Sequence, residues 1–343
     1  MNYYIEICRF IAAFTIMMHH TDDLGCTKIA PGGWIVVEYF FMLSGYFMTA
    51  HFEREEYCFT NPERTAMLYL WRKLCRAFPY VVISILISFA AIVFSGEFDI
   101  VTTSNLFMSI PSHIFLLEGF GLCSISLNGG LWYLSAMAVA MPCLIILMFK
   151  QRNFFRYIAS WLLPLMFYTI IFAFNGNLIH WGKCWQFVYL MRAFAGLMIG
   201  ALIFYLSRLI KPLNISRGLC QLLTLFEVLL FVGMIMLTYS SKCEVESISM
   251  ILYFAISLCI AFSGKDVIKP IAPKWFSYLG KISLPLYCLH APIFRWVRIL
   301  FTDVRGGMKI LIGICSSLII AVIFSCVSSK ITRKQFSYER SSE

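Results

Sequence analysis

An all-α protein built into a membrane is the fold class this sequence predicts, and three observations carry that prediction. Hydrophobic residues make up 60% of the 343-residue chain and charged residues only 13%. Mean hydropathy is +0.79, well away from soluble domains. Apolar stretches close to 20 residues long, enough to cross about 30 Å of hydrocarbon, recur at 4–20, 34–51, 77–95, 130–149, 157–174, 186–206, 218–239, 246–263, 282–301 and 308–328. The expectation is a multi-pass membrane protein of about ten transmembrane helices.

The first stretch lacks the basic start and small-residue cleavage site of a removable signal peptide, and it holds Arg9, His19 and His20. The second contains "FFMLSG", in which Ser44 and Gly45 suit close helix packing better than nucleophilic chemistry. Residues 51–76 are basic and partly amphipathic, and they read as a connection ahead of the third span. The segment 96–130 is apolar at its centre but broken by Pro111, His113, Glu118 and several glycines, which predicts an interfacial or re-entrant element. Five apolar runs follow, one of them carrying Arg192; the ninth span carries His290, Arg295 and Arg298, and the tenth is 308–328. There is no internal repeat or low-complexity tract, so residues 1–343 read as one membrane domain.

A net charge of +10 invites a nucleic-acid reading, but lysine and arginine also collect on the cytoplasmic loops of membrane proteins. With the N-terminus inside, nineteen of the 28 basic residues fall in inner segments, five in outer loops, and Arg9, Arg192, Arg295 and Arg298 within spans. Both termini are therefore expected in the cytoplasm, with no need for nucleic acid. The thirteen cysteines show no C-x-x-C pair and no metal-ligand spacing, so no metal is expected. Cys26, Cys123, Cys184 and Cys243 lie in or near outer loops, where a disulfide is open to them.

Arg9 and His20 are eleven residues apart, almost three helical turns, so they share one face about 16 Å apart along the axis. Glu6 and Ala13 fall on the same stripe. Ionisable groups at membrane depth cost roughly 2.5–3.5 kcal/mol each even on lenient scales and are mostly retained for function. The plainer alternative is snorkelling of each side chain to its nearer interface.

Five stretches in order resemble the membrane-bound acyltransferase family 3, typified by bacterial polysaccharide O-acetyltransferases. Arg9 and His20 look like its R-x10-H pair. "GGWIVVEYFFMLSGYFM", from Gly32 to Met48, is similar to the family's glycine, acidic residue, FF and SG pattern, with Glu38 in the acidic place. "WRKLCRAFPY" resembles its basic loop, with Lys73 standing where the family usually has the first arginine of an R-x-x-R pair that ends at Arg76. "LWYLSAM" around Trp132 and "LGKISLPLYCLHAPI", which holds His290, also match.

The resemblance implies transfer of an acyl group, in the simplest case acetyl, from cytoplasmic acyl-CoA to a hydroxyl of a cell-surface or lipid-linked carbohydrate. It implies a bacterial cytoplasmic membrane as the location, with membrane lipid and carbohydrate as the partners. His20 would be the general base, and Glu38, at similar depth across a hairpin, would orient it as the acid does in a catalytic triad. The alternative for Glu38 is a structural ion pair with an intramembrane arginine. Arg72, Lys73 and Arg76 would hold the CoA phosphates, although lysine cannot form a bidentate fork. Arg9 would guide the pantetheine arm, while Trp132 and His290 would line the acceptor side. A transporter or flippase for a lipid-linked sugar or small polar solute is the rival reading, since buried charges serve transport equally well.

Overall fold

The computed structural model describes residues 2–53, 61–118, 125–178, 185–240, 246–268 and 272–341, with backbone alone for 185–186 and 328–341. It is helical throughout and contains no strand among the described residues. Helix α1 (Tyr3–His19) opens with the Asn2 side chain accepting the Tyr4 amide at 3.2 Å and closes into a 3-10 turn, His20–Leu24. A second 3-10 turn, Gly33–Ile35, leads into α2 (Val36–Phe52). Then come α3 (Pro62–Ser95), α4 (Ile100–Ile114), α5 (Trp132–Lys150), a single turn α6 (Arg152–Phe154), a π-helical turn (Phe155–Ala159) and α7 (Ser160–Asn175). The chain continues through α8 (Trp185–Ile210), α9 (Arg217–Ser240), α10 (Ser247–Phe262), α11 (Phe276–Leu300) and α12 (Gly306–Ser341).

Each of the ten expected spans lies on a helix, but only seven helical stretches among the described residues are long and apolar enough to cross a membrane by those measures. The other three fall short for identifiable reasons. α1 has 17 residues and α10 has 16, while α11 is interrupted by Lys281, Arg295 and Arg298.

The connection expected before the third span is largely helical. Asn61 caps the Arg64 amide at 2.9 Å and Pro62 occupies the first turn, where its missing N–H costs nothing. Good helix formers from Ala66 to Leu74 then carry the helix without a break into the span. The resulting 34 residues span about 50 Å at 1.5 Å per residue, more than the hydrocarbon needs. The broken segment 96–130 contains α4, which at 15 residues is too short to cross. His113 has a structural task there: its ring contacts the Ser109 and Ile125 carbonyls and the Leu127 amide.

α2 and α8 form the most extensive helix pair, followed by α1 with α11. Close approach in the first pair depends on absent side chains. A Cβ on Gly45 would stand 1.9 Å from the Leu197 carbonyl oxygen, and one on Gly200 2.1 Å from that of Met42. Gly196 and Gly200 form a small-xxx-small repeat on α8, the pattern that lets membrane helices bring their backbones together. The packing reading of Gly45 therefore holds. Cys26 is a free thiol; Cys123, Cys184 and Cys243 lie outside the described residues.

Candidate active site

The stripe on α1 faces α11. Its inner part is closed by an ion pair, Arg9 Nη1 to Glu6 Oε2 at 2.9 Å. Glu6 packs directly onto Gly280 of α11, where a Cβ would overlap the Glu6 carboxylate. At the other end, the His20 ring lies 5.1 Å from that of His290, also on α11. The two contacts run in the same order along both helices, so α1 and α11 are parallel and the whole stripe follows one seam. Between its ends Ala13 is fully buried, so this part of the face is packed and the polarity is confined to its two ends.

His20 begins the 3-10 turn and is about one-third exposed. Its Nδ1 stands 3.5 Å from Asp23 Oδ2. Burial opposes the charge on Asp23, but the His20 contact, aided by His290 and Arg295, holds the carboxyl below the usual carboxylate range. His290 is completely buried; its Nδ1 contacts the Leu286 carbonyl at 3.0 Å, and its Nε2 has no hydrogen-bond partner among the described residues. A buried, unpaired ring nitrogen is costly unless something is meant to reach it. His19 points elsewhere, with Nδ1 at 2.9 Å from the Ala30 carbonyl. One ligand atom each from His20, Asp22 and Asp23 lies within 4.8 Å of the others, although Lys28 engages Asp22 at 3.3 Å.

Glu38 does not join this cluster, and the hydrogen bond expected from it to His20 is not formed. Its carboxylate is fully buried between α2, α7 and α8, with Oε1 accepting from Arg192 Nε at 2.6 Å and Oε2 from the Tyr168 hydroxyl at 2.7 Å. A buried guanidinium is costly without a carboxylate beside it. Trp132 belongs to the same group. It stacks on Tyr189 with centroids 4.2 Å apart, and the Arg192 guanidinium lies 4.8 Å from its ring and 5.2 Å from that of Trp34. Tyr287 bridges the two clusters: its hydroxyl donates to the Gly130 carbonyl, its ring lies 6.3 Å from His290, and it senses the charge of Arg192.

In the "WRKLCR" stretch of α3, Arg72 and Arg76 are exposed and Lys73 is half-buried. Lys73 is turned toward the bundle, near enough to feel the charges of Arg9 and Arg76. Arg9 also bears on Tyr133, whose hydroxyl is 3.0 Å from Ser44 Oγ. The structure therefore assembles Arg9 with Lys73 at one end of the α1–α11 seam and His20 with His290 at the other.

Asp23 was not singled out by sequence reasoning. The available signal was its position three residues after His20, which places the two side chains together on one helical turn.

These residues occupy the stretches that resembled a known family, and comparison with family profiles decides the matter: the profile of acyltransferase family 3, described as an acyltransferase domain, matches residues 2–326. The chain belongs to acyltransferase family 3. With its apolar helices, it is a multi-pass membrane acyltransferase. No curated protein matches the chain, and no solved structure matches it. Within this acyltransferase His20 has an acid, Asp23, beside it and a second histidine, His290, in ring contact.

Proposed function

We propose that the protein transfers an acyl group, in the simplest case acetyl, from acyl-CoA to a carbohydrate hydroxyl at the outer side of a bacterial cytoplasmic membrane. The observation that carries this reading is the His20–Asp23–His290 cluster at one end of the seam whose other end gathers Arg9 and Lys73. A thioester is already activated, so the protein must deprotonate an alcohol and stabilise an oxyanion. His20 accepts the hydroxyl proton while Asp23 steadies the imidazolium. The alkoxide oxygen bonds to the thioester carbonyl carbon, the tetrahedral intermediate collapses, the carbon–sulfur bond breaks, and the departing thiolate takes up a proton. His290, with its free Nε2, lines the site where these groups meet. Arg72, Lys73 and Arg76 meet the CoA phosphates at the inner face. The chemistry as drawn uses no metal.

The direct test is release of free CoA thiol by purified protein supplied with acetyl-CoA and candidate glycans, together with mass spectrometry of surface glycans from cells with and without the protein. Acetyl groups absent from both assays, with solute uptake altered instead, would favour the transporter reading.

The proposed topology has ten spans with both termini inside. Single cysteines at Thr27 and Thr60, introduced after removal of the native reactive cysteines, should differ in intact cells: an impermeant thiol reagent labels position 27 and spares position 60. Labelling of position 60 would overturn this arrangement.

A further inference from the structure

A second polar site stands at the far end of α2 from the histidines. The helix covers about 25 Å from Val36 to Phe52, so Glu53, just past its C-terminus, lies across the bundle from Gly33 and the turn that holds His20. The Glu53 carboxylate is 8% exposed. Both of its oxygens are occupied: Oε2 accepts from Arg152 Nη2 at 2.6 Å and Oε1 from the Tyr205 hydroxyl at 2.8 Å. These contacts neutralise Glu53 and fix Arg152 and Tyr205 on the wall of a cleft of about 340 Å³.

Two further arginines line the same cleft. The Arg156 guanidinium lies 5.2 Å from the Tyr205 ring and that of Arg208 5.5 Å from the Phe204 ring. Neither Arg156 nor Arg208 has a carboxylate within ion-pair distance among the described residues. The cleft therefore holds three guanidinium groups against a single, already engaged carboxylate.

Membrane orientation asks only for positive charge near a loop; it does not ask for convergence on a cavity or for arginines held over aromatic rings. Arg156 also sits in the π-helical turn Phe155–Ala159, a rare widening of the helix that recurs at functional sites. Planar guanidinium forks match phosphate oxygens, and a set of them with surplus positive charge is suited to a phosphate group. Leu209 on the cleft wall is 63% exposed, so the cleft is open to a ligand that carries hydrocarbon as well as to a soluble one.

We propose that this cleft binds a phosphate group, carried by an anionic phospholipid headgroup or by a soluble phosphate ester, on the face of the bundle opposite His20. The site is independent of the acyl-transfer reading, and its test does not use activity. Thermal unfolding of the full-length protein would be followed in detergent with added pyrophosphate or glycerol phosphate, and in nanodiscs of phosphatidylglycerol against phosphatidylcholine.

The wild-type protein should unfold at higher temperature with at least one phosphate source, and half-saturation should weaken about tenfold or more, equivalent to the loss of about 1.4 kcal/mol, in Arg156→Gln/Arg208→Gln. These exposed positions leave the Glu53 pair intact, so the ligand-free variant should unfold near the wild-type temperature. Stabilisation by phosphatidylglycerol but not by pyrophosphate or glycerol phosphate identifies a lipid as the source, and the converse a soluble phosphate. No response of the wild type to any of them, or an equal response in the double variant, overturns the proposal. An isolated fall in the ligand-free unfolding temperature would be resolved by Arg156→Lys, which keeps the charge and should retain part of the response if a phosphate is bound.

Discussion

His20 and His290 stand with their rings 5.1 Å apart, and each has one nitrogen committed: Nδ1 of His20 lies toward Asp23, and Nδ1 of His290 is held at the Leu286 carbonyl. The remaining nitrogens have no hydrogen-bond partner among the described residues, and in the proposed reaction that of His20 takes the hydroxyl proton. His20→Ala should therefore lower acyl transfer by about 10²- to 10⁴-fold, the usual contribution of a positioned proton acceptor, with normal membrane insertion. His19→Ala removes the contact to the Ala30 carbonyl and the edge contact of its ring with that of His20, 5.2 Å away, but no group placed in the proton transfer, and should be far milder in rate. Rates of CoA thiol release for the two purified variants check this, and equal losses would refute the assignment to His20.

The partner of His20 is the next thing to test, because the geometry favours Asp23 over Glu38. Asp23→Asn should slow transfer and should cost little more when combined with His20→Ala, since groups acting as a unit are non-additive. Glu38→Gln should behave differently. It leaves Arg192 buried without its counter-charge, a loss of about 3–5 kcal/mol in comparable buried pairs, and its effect should appear first in the thermal stability and yield of the protein. Restoring size and polarity without charge cannot rescue it; pairing Glu38→Gln with Arg192→Gln should recover part of the stability. A stable Glu38→Gln protein that is non-additive with His20→Ala would return Glu38 to the proton-transfer role.

What the sequence disclosed divides along physical lines. Hydrophobic run length marked a helix at each of the ten stretches, seven of them long and apolar enough to cross, because crossing hydrocarbon imposes a length that local composition records. The Arg9–His20 register was legible because helix periodicity is a local rule. The partner of Glu38 was not, since Arg192 lies 154 residues away and nothing in either stretch says which faces of α2 and α8 meet. The helical character of residues 62–76 was obscured by charge, which resembles a loop in a hydropathy reading even where Asn61 and Pro62 supply a helix start. Asp23 lies just past His20, where the apolar run ends, so hydropathy does not mark it.

The α2–α8 crossing gives a stability prediction with a built-in control. Gly45→Ala and Gly200→Ala place a methyl against backbone at 1.9 and 2.1 Å, and the helices must part to accept it. Overpacking of this kind costs about 1–3 kcal/mol or more, read as a clear drop in Tm for each variant. Gly218 and Gly233 on α9 have nothing within 4 Å of an added Cβ. There the better helix propensity of alanine, up to about 1 kcal/mol, should leave Tm unchanged or raised. Equal tolerance at Gly45 and Gly233 would mean that the two helices do not approach as closely as described.

The donor end of the seam separates binding from chemistry. Lys73 is half-buried, whereas Arg76 is exposed on the same helix, so under the proposed reading the two would meet a phosphate from different sides. If both hold acyl-CoA, Lys73→Ala and Arg76→Ala should each raise KM for the donor by roughly tenfold while kcat changes much less, the pattern of lost uniform binding. Lys73→Arg keeps the charge and adds a bidentate fork, so it should bind the donor at least as well as the native protein, provided the guanidinium fits beside Arg9. Arg9→Ala should differ from both. Arg9 is paired with Glu6, which itself rests on Gly280, so its loss leaves Glu6 without its partner within the α1–α11 contact and should lower kcat and stability together. Steady-state kinetics on the four variants decide the matter: unchanged donor KM in both alanine variants of α3 would reduce Lys73 and Arg76 to signals of membrane orientation.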